Sequence, residues 1–313
     1  MNHEIAAEGI TALRARIFTF GADAGQPIHH ADGLVVMRGG LIERVGDYAD
    51  IAPLLPPGTR ITDHRPNIVM AGFIDPHLHM PQTQVIASYG TELLDWLSKY
   101  TFPEESRYHD RAVCNAASRF LLDTLLRNGT TTAAAYCTSH PQSVESLFEE
   151  AARRNMRITA GKVMMDRNAP ETLTDTPERA YEESRALIQR FDGVGRLSYA
   201  ITPRFAPTST EAQLEVAGAL AAENPGMAIQ THLSENLDEI DYTLSLYPRA
   251  RDYLDIYDRF GLLGPRSLMG HAIHLTPREI ARMAETGTSI SHCPVSQLFL
   301  GSGTMPWLRT VES

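Results

Sequence analysis

Cysteine is scarce in this chain. The three present, Cys114, Cys137 and Cys293, are odd in number and far apart, which excludes a disulfide framework and fits reduced thiols. Positive charge is short as well: 28 Lys and Arg stand against 38 Asp and Glu, a formal charge of −10 at pH 7. A nucleic-acid partner, which needs a basic stripe, is therefore not expected. No apolar run reaches the roughly 18 residues of a membrane span. The start, Met1-Asn2-His3-Glu4, has no basic region leading into an apolar stretch, so neither secretion nor membrane insertion is expected, and a cytoplasmic location is. No Gly-x-Gly-x-x-Gly follows a candidate strand, which leaves dinucleotide binding unsupported. No Cys-x-x-Cys exists, which removes the zinc deaminases built on His-x-Glu with Pro-Cys-x-x-Cys.

What is there is a folded α/β chain of ordinary composition, 43% apolar and 21% charged. Its 313 residues suit one large domain with a smaller companion. Residues 1–66 read as a small β-sandwich or meander: Ile17-Phe18-Thr19-Phe20, Gly33 to Met37 and Leu41 to Val45 are short apolar runs separated by turns such as Arg38-Gly39-Gly40. From 67 to 313 the pattern becomes strand, helix, strand, helix. Candidate strands are 68–79, 130–137, 157–165, 197–204, 227–233, 267–273 and 288–293, the first expected to be a buried run from Ile68 to Ile74. Helices are expected over Ala112–Arg127, Pro141–Asn155, Pro177–Phe191 and Thr210–Glu223, with Thr176 and Thr276 as caps before a proline. Alternation of this kind implies parallel strands with right-handed crossovers, satisfied by a doubly wound sheet or by a (β/α)8 TIM-type barrel.

The polar strand ends decide for the barrel, whose reactive groups gather at the carboxyl ends of its strands. Gly72-Phe73-Ile74-Asp75-Pro76-His77-Leu78-His79 ends in two histidines one residue apart, and strand alternation points both imidazoles to one face, where they can share a metal ion. Other strands end in Arg204-Phe205, in His232-Leu233-Ser234-Glu235, in Gly270-His271 and in His292-Cys293-Pro294. Imidazoles in this number suit zinc, which in a catalytic site keeps a position for water. His232 is the stronger further ligand and His271 the weaker, because the Glu235 carboxylate stands at the same strand mouth and can carry a proton from water to a leaving group. His274 reads as a loop residue, His292 as a supporting one. Arg204 and Phe205 read either as substrate contacts, guanidinium to a carbonyl oxygen and ring face to a planar ring, or as a buried salt bridge beside a core phenylalanine.

At this point the chain resembles the amidohydrolase superfamily, and within it the guanine deaminases. The resemblance is carried by Pro76-His77-Leu78-His79-Met80-Pro81-Gln82, Leu93-Leu94-Asp95-Trp96-Leu97, Tyr100-Thr101-Phe102-Pro103-Glu104, Arg204-Phe205, His232-Leu233-Ser234-Glu235-Asn236, Gly270-His271 and His292-Cys293-Pro294. It implies one Zn2+ on His77, His79 and His232, Glu235 as proton shuttle and His271 steadying the attacking water. It also implies guanine held near His79, Met80, Pro81, Gln82, Arg204, Phe205, His232 and Glu235, with hydrolysis to xanthine and ammonia, and a homodimer. In such enzymes an aspartate at the end of the eighth strand completes the site; no aspartate follows Asp258 here. The expectation is therefore a truncated or partial form: a barrel lacking its last strand, with impaired activity. The alternatives are another aromatic-amine amidohydrolase, such as a triazine hydrolase or a different nucleobase deaminase, and a non-catalytic metal-binding module.

Overall fold

The computed structural model describes residues 9–21, 25–90 and 92–311. They divide into two compact units, 1–72 and 73–313. The first carries β1 (Ile10–Phe20), β2 (Pro27–Arg38), β3 (Leu41–Asp47), the short helix α1 (Tyr48–Ile51) and β4 (Arg60–Met70). These strands form one sheet in the order β3-β2-β1-β4, with β1–β2 and β2–β3 antiparallel and β1–β4 parallel. Where a sandwich was expected, the described residues form a single sheet. Its apolar face, Ile10, Ala12, Leu34 and Val36, is covered by Ile51 and Tyr48 of α1 instead of by a second sheet.

The second unit is a nearly closed parallel barrel. Its strands are β5 (Phe73–His79), β6 (Thr130–Tyr136), β7 (Arg157–Gly161), β8 (Val163–Met164), β9 (Leu197–Pro203), β10 (Ala228–Leu233), β11 (Ser267–His271) and β12 (Ser289–Ser291). The order β12-β11-β10-β9-β7-β6-β5 leaves β5 and β12 as edges, with β8 paired to β9. Ser291 Oγ donates to the Pro76 carbonyl at 3.4 Å across that gap. The helices are α2 (Leu93–Trp96), α3 (Phe102–Ser106), α4 (Arg111–Arg127), α5 (Pro141–Arg154), α6 (Pro177–Phe191), α7 (Glu211–Glu223), α8 (Leu237–Leu246), α9 (Tyr253–Arg259), α10 (Pro277–Thr286), α11 (Pro294–Phe299) and α12 (Trp307–Val311).

Local chemistry explains most of these boundaries. Thr176 accepts from the Arg179 amide to start α6, and Thr276 with Glu279 makes a capping box at α10. α5 places Val144, Leu147, Phe148 and Ala151 on one buried face, against the cluster that includes Ala133, Ala135, Ile158 and Ala160. Each large side chain in that stripe contributes roughly 1.5–3 kcal/mol by burial. The strand expected over 68–79 is divided, however. β4 pairs with β1 (Val69 opposite Ile17) and β5 pairs with β6 (Phe73 opposite Thr130), so one ladder cannot run through Ala71-Gly72. Nor is the run buried: Ile68 is 53% and Ile74 71% exposed, each on an edge strand of its sheet. The strand expected over 157–165 breaks at Lys162. Just before it, a Cβ on Gly161 would sit 1.7 Å from the Ala200 carbonyl oxygen, so only glycine permits the β7–β9 approach.

Candidate metal centre and substrate cavity

The carboxyl ends of β5, β9, β10 and β11 open into a cavity of about 550 Å³, lined among others by His77, His79, Gln82, Arg204, Phe205 and His232. That size lies within the usual range for small-molecule sites. On β5 the alternation holds: His77 and His79 have ring centroids 5.3 Å apart, while Leu78 packs on the core cluster that includes α4 residues. His232 comes from β10, and its ring is 4.8 Å from His77 and 5.0 Å from His79 between centroids. The ligating atoms of His77, His79 and His232 all lie within 4.8 Å of one another.

Hydrogen bonding sets the tautomer of His232. The Arg204 carbonyl oxygen, 2.7 Å from Nδ1, can only accept, so Nδ1 carries the proton and Nε2 presents a lone pair. That lone pair faces His79 Nε2 at 3.0 Å, a separation two bare nitrogens tolerate only with a cation or proton between them. Burial holds His77 down to about 4, and burial, then neighbouring charge, holds His79 and His232 well below the ordinary imidazole range. All three are thus neutral at pH 7, the state in which imidazole binds metal. A second group, His77, His271 and Cys293, is as compact. Burial pushes the Cys293 thiol up to about 12, so the thiolate a metal requires is costly there, and the three-imidazole group is the better metal site.

Beside it, Glu235 Oε2 lies 3.3 Å from His271 Nε2, both buried. Burial, reinforced by Glu239, raises the Glu235 carboxyl well above its usual range, and burial keeps His271 neutral. A protonated Glu235 beside neutral His271 can therefore hold one proton without a buried charge, and a cation bound at the adjacent imidazoles would favour the ionised form that accepts a proton.

A model of the amidohydrolase family matches residues 68–313. The chain belongs to that family. It is 48% identical to guanine deaminase of Escherichia coli over 272 residues, 87% of this chain and 62% of the relative. Among solved structures it is similar to guanine deaminase from Bradyrhizobium japonicum (TM-score 0.94, 40% identity, 97% of this chain and 67% of that one). It is also similar to the enzyme from C. acetobutylicum solved with guanine in the active site (TM-score 0.90, 32% identity, 97% and 72%). The chain thus spans less than two thirds of the E. coli relative's length.

In this amidohydrolase barrel not every expected contact residue reaches the cavity. Gln82 lines it, but Met80 and Pro81 do not. The 3-10 turn Met80–Gln84 buries both, and Met80 Sδ accepts from Ser118 Oγ of α4 at 3.2 Å. Arg204 makes the buried salt bridge of the second reading, Nη1 donating to Glu105 at 2.6 Å, and the residue also lines the cavity. Phe205 lines it with its ring 6.3 Å from that of His232. His274 is a loop brace, its Nε2 donating to the Ser302 carbonyl at 2.8 Å, and His292 lines the cavity with Nδ1 unpartnered.

Sequence reading missed three participants. Glu239 accepts from the backbone N–H of Glu235 and Asn236 and from the Tyr253 hydroxyl, which pins the turn that aims Glu235. Ser234 in that turn has φ 46°, a left-handed conformation the bonds must hold. The signal was available as the capping box Asn236-x-x-Glu239. Asp75 Oδ1 accepts from the His77 amide at 3.1 Å, steadying the strand end. Glu105, beside the Phe102-Pro103-Glu104 motif, carried no local signal.

Proposed function

We propose that this chain carries the catalytic site for zinc-dependent hydrolytic deamination of guanine to xanthine and ammonia. The observation that carries the reading is the meeting of three neutral imidazoles from β5 and β10 with the Glu235–His271 pair in one cavity. Its support for guanine in particular comes from relatives named guanine deaminases at 48% and 40% identity.

His77, His79 and His232 would hold the zinc, a nitrogen set that favours it over magnesium or calcium. When bound, zinc would make a water molecule nucleophilic near neutral pH. Phe205 offers a flat face to a purine, and Arg204 and Gln82 offer polar groups to its edge. Glu235, in its ionised form, takes one of the attacking water's two protons and delivers it to the ring nitrogen; the water's second proton then goes to the departing amine, again by way of Glu235. His271 Nε2 stays within reach of that exchange. One C–O bond forms and one C–N bond breaks, so guanine and water give xanthine and ammonia.

The homodimer and cytoplasmic location implied by the family resemblance belong to the same proposal; among the described residues no helix is long and apolar enough to cross a membrane. The test is ammonia and xanthine release from guanine by zinc-loaded protein, using the 313-residue chain and a chain of the relatives' length. A relatives'-length protein that binds zinc yet releases no ammonia from guanine refutes the reading.

A further inference from the structure

Glu105 has no place in the proton chemistry, yet its carboxylate is fully enclosed on α3, in contact with two residues that line the cavity, Arg204 and Gln82. Its two oxygens face the two polar side chains offered to a ligand. Oε2 accepts from Arg204 Nη1 at 2.6 Å, and Oε1 lies 3.5 Å from Gln82 Nε2. Burying a carboxylate is expensive, and among the described residues the cation that offsets this one is the Arg204 guanidinium.

The arrangement has a consequence for what the cavity can read. With Nη1 committed to Glu105, the rest of the fixed guanidinium fork remains as donor toward the cavity Arg204 lines. A carboxylate repels a carbonyl oxygen and attracts an amide N–H, so Glu105 turns the Gln82 NH2 toward itself and the Gln82 Oε1 away, as an acceptor. One donor and one acceptor are thus set side by side.

We infer that Glu105 is a positioning residue that aims Arg204 as donor and Gln82 as acceptor, so that together they select a ring presenting a carbonyl oxygen next to an N–H. This deepens the guanine reading and rests on it. A purine without that pair, such as 2-aminopurine, leaves both side chains unanswered, and unanswered polar groups in an enclosed site are what produce discrimination.

The test is binding, read separately from turnover, with the 313-residue chain. Affinities for guanine and for 2-aminopurine are measured by equilibrium dialysis on the parent, on Glu105→Gln and on Glu105→Asp. The Gln variant keeps the shape but removes the charge. The Asp variant keeps the charge that offsets the guanidinium, and hence the fold, while withdrawing the carboxylate by one methylene. The parent should prefer guanine, and in both variants that preference should fall on the order of tenfold, the worth of one well-made hydrogen bond. An unchanged preference in a folded variant, an equal loss for both purines, or no preference in the parent overturns the inference while leaving the guanine reading standing. A parent that binds neither purine also overturns the inference for this chain, while the guanine reading is decided separately by ammonia release from the relatives'-length protein.

Discussion

The sharpest consequence of the metal geometry is that Gly270→Ala should cost the chain its metal while sparing its fold. Gly270 lies on β11 against the His77 ring. A Cβ placed there stands 2.5 Å from Cε1 and 2.9 Å from Nδ1 of His77. Carbon atoms not bonded to each other settle at about 3.5–4.0 Å, so the ring must retreat by roughly 1 Å. Metal sites tolerate about 0.2 Å in ligand distance, so His77 would leave the group it forms with His79 and His232. Gly270 does not have positive φ, so alanine brings no backbone strain and the effect is steric. Changes to groups merely supporting a ligand cost about 10–100-fold in affinity; displacing a ligand should cost at least about 100-fold. The flexible ring, not backbone, absorbs the clash, so the thermal transition of the metal-free protein should move little. Competition with a chromophoric chelator measures zinc affinity, and circular dichroism follows the fold. A folded Gly270→Ala protein that binds zinc as tightly as its parent would show that His77 is not a ligand.

Three further predictions test other links. Glu235→Gln should lower guanine turnover by about 10²–10⁴, the usual worth of general acid/base help, with zinc content unchanged; turnover within a factor of two of the parent would remove Glu235 from the proton path. In metal-free protein, His77 stays neutral when folded down to about 4, against about 6.5 when unfolded, so its contribution is complete above pH 6.5 and is lost as pH falls toward 4. The loss is at most on the order of 3 kcal/mol, and urea unfolding at pH 7.5 and 5 on the parent and on His77→Asn should show the slope in the parent and a shallower one in the variant. Gly161→Ala forces a Cβ to within 1.7 Å of the Ala200 carbonyl oxygen, so β7 and β9 must separate and the melting temperature should drop sharply; an unchanged melt contradicts the close approach.

Much of this was legible in the residues because it depends on local geometry alone. A period of two puts His77 and His79 on one side of a strand and Leu78 on the other whatever surrounds them, and a threonine before Pro177 or Pro277 starts a helix by bonding its own next turn. Alternation of strand and helix left a doubly wound sheet or a barrel, and strand ends rich in polar residues then pointed to one mouth and so to the barrel. Tertiary structure decided the rest. Whether the run through Ala71-Gly72 is one strand or two depends on which partner each half finds, and those partners are β1 and β6. Met80 points into the core because α4 waits there with Ser118. His79 meets His232 across 153 residues of chain, and Glu105 meets Arg204 across 99. The neutral state of the imidazoles and the raised carboxyl of Glu235 come from desolvation, which no side chain has until the barrel walls close around it. Residue identity and spacing thus determined which groups stand at the mouth; only the folded chain determined which of them touch, and in what state of charge.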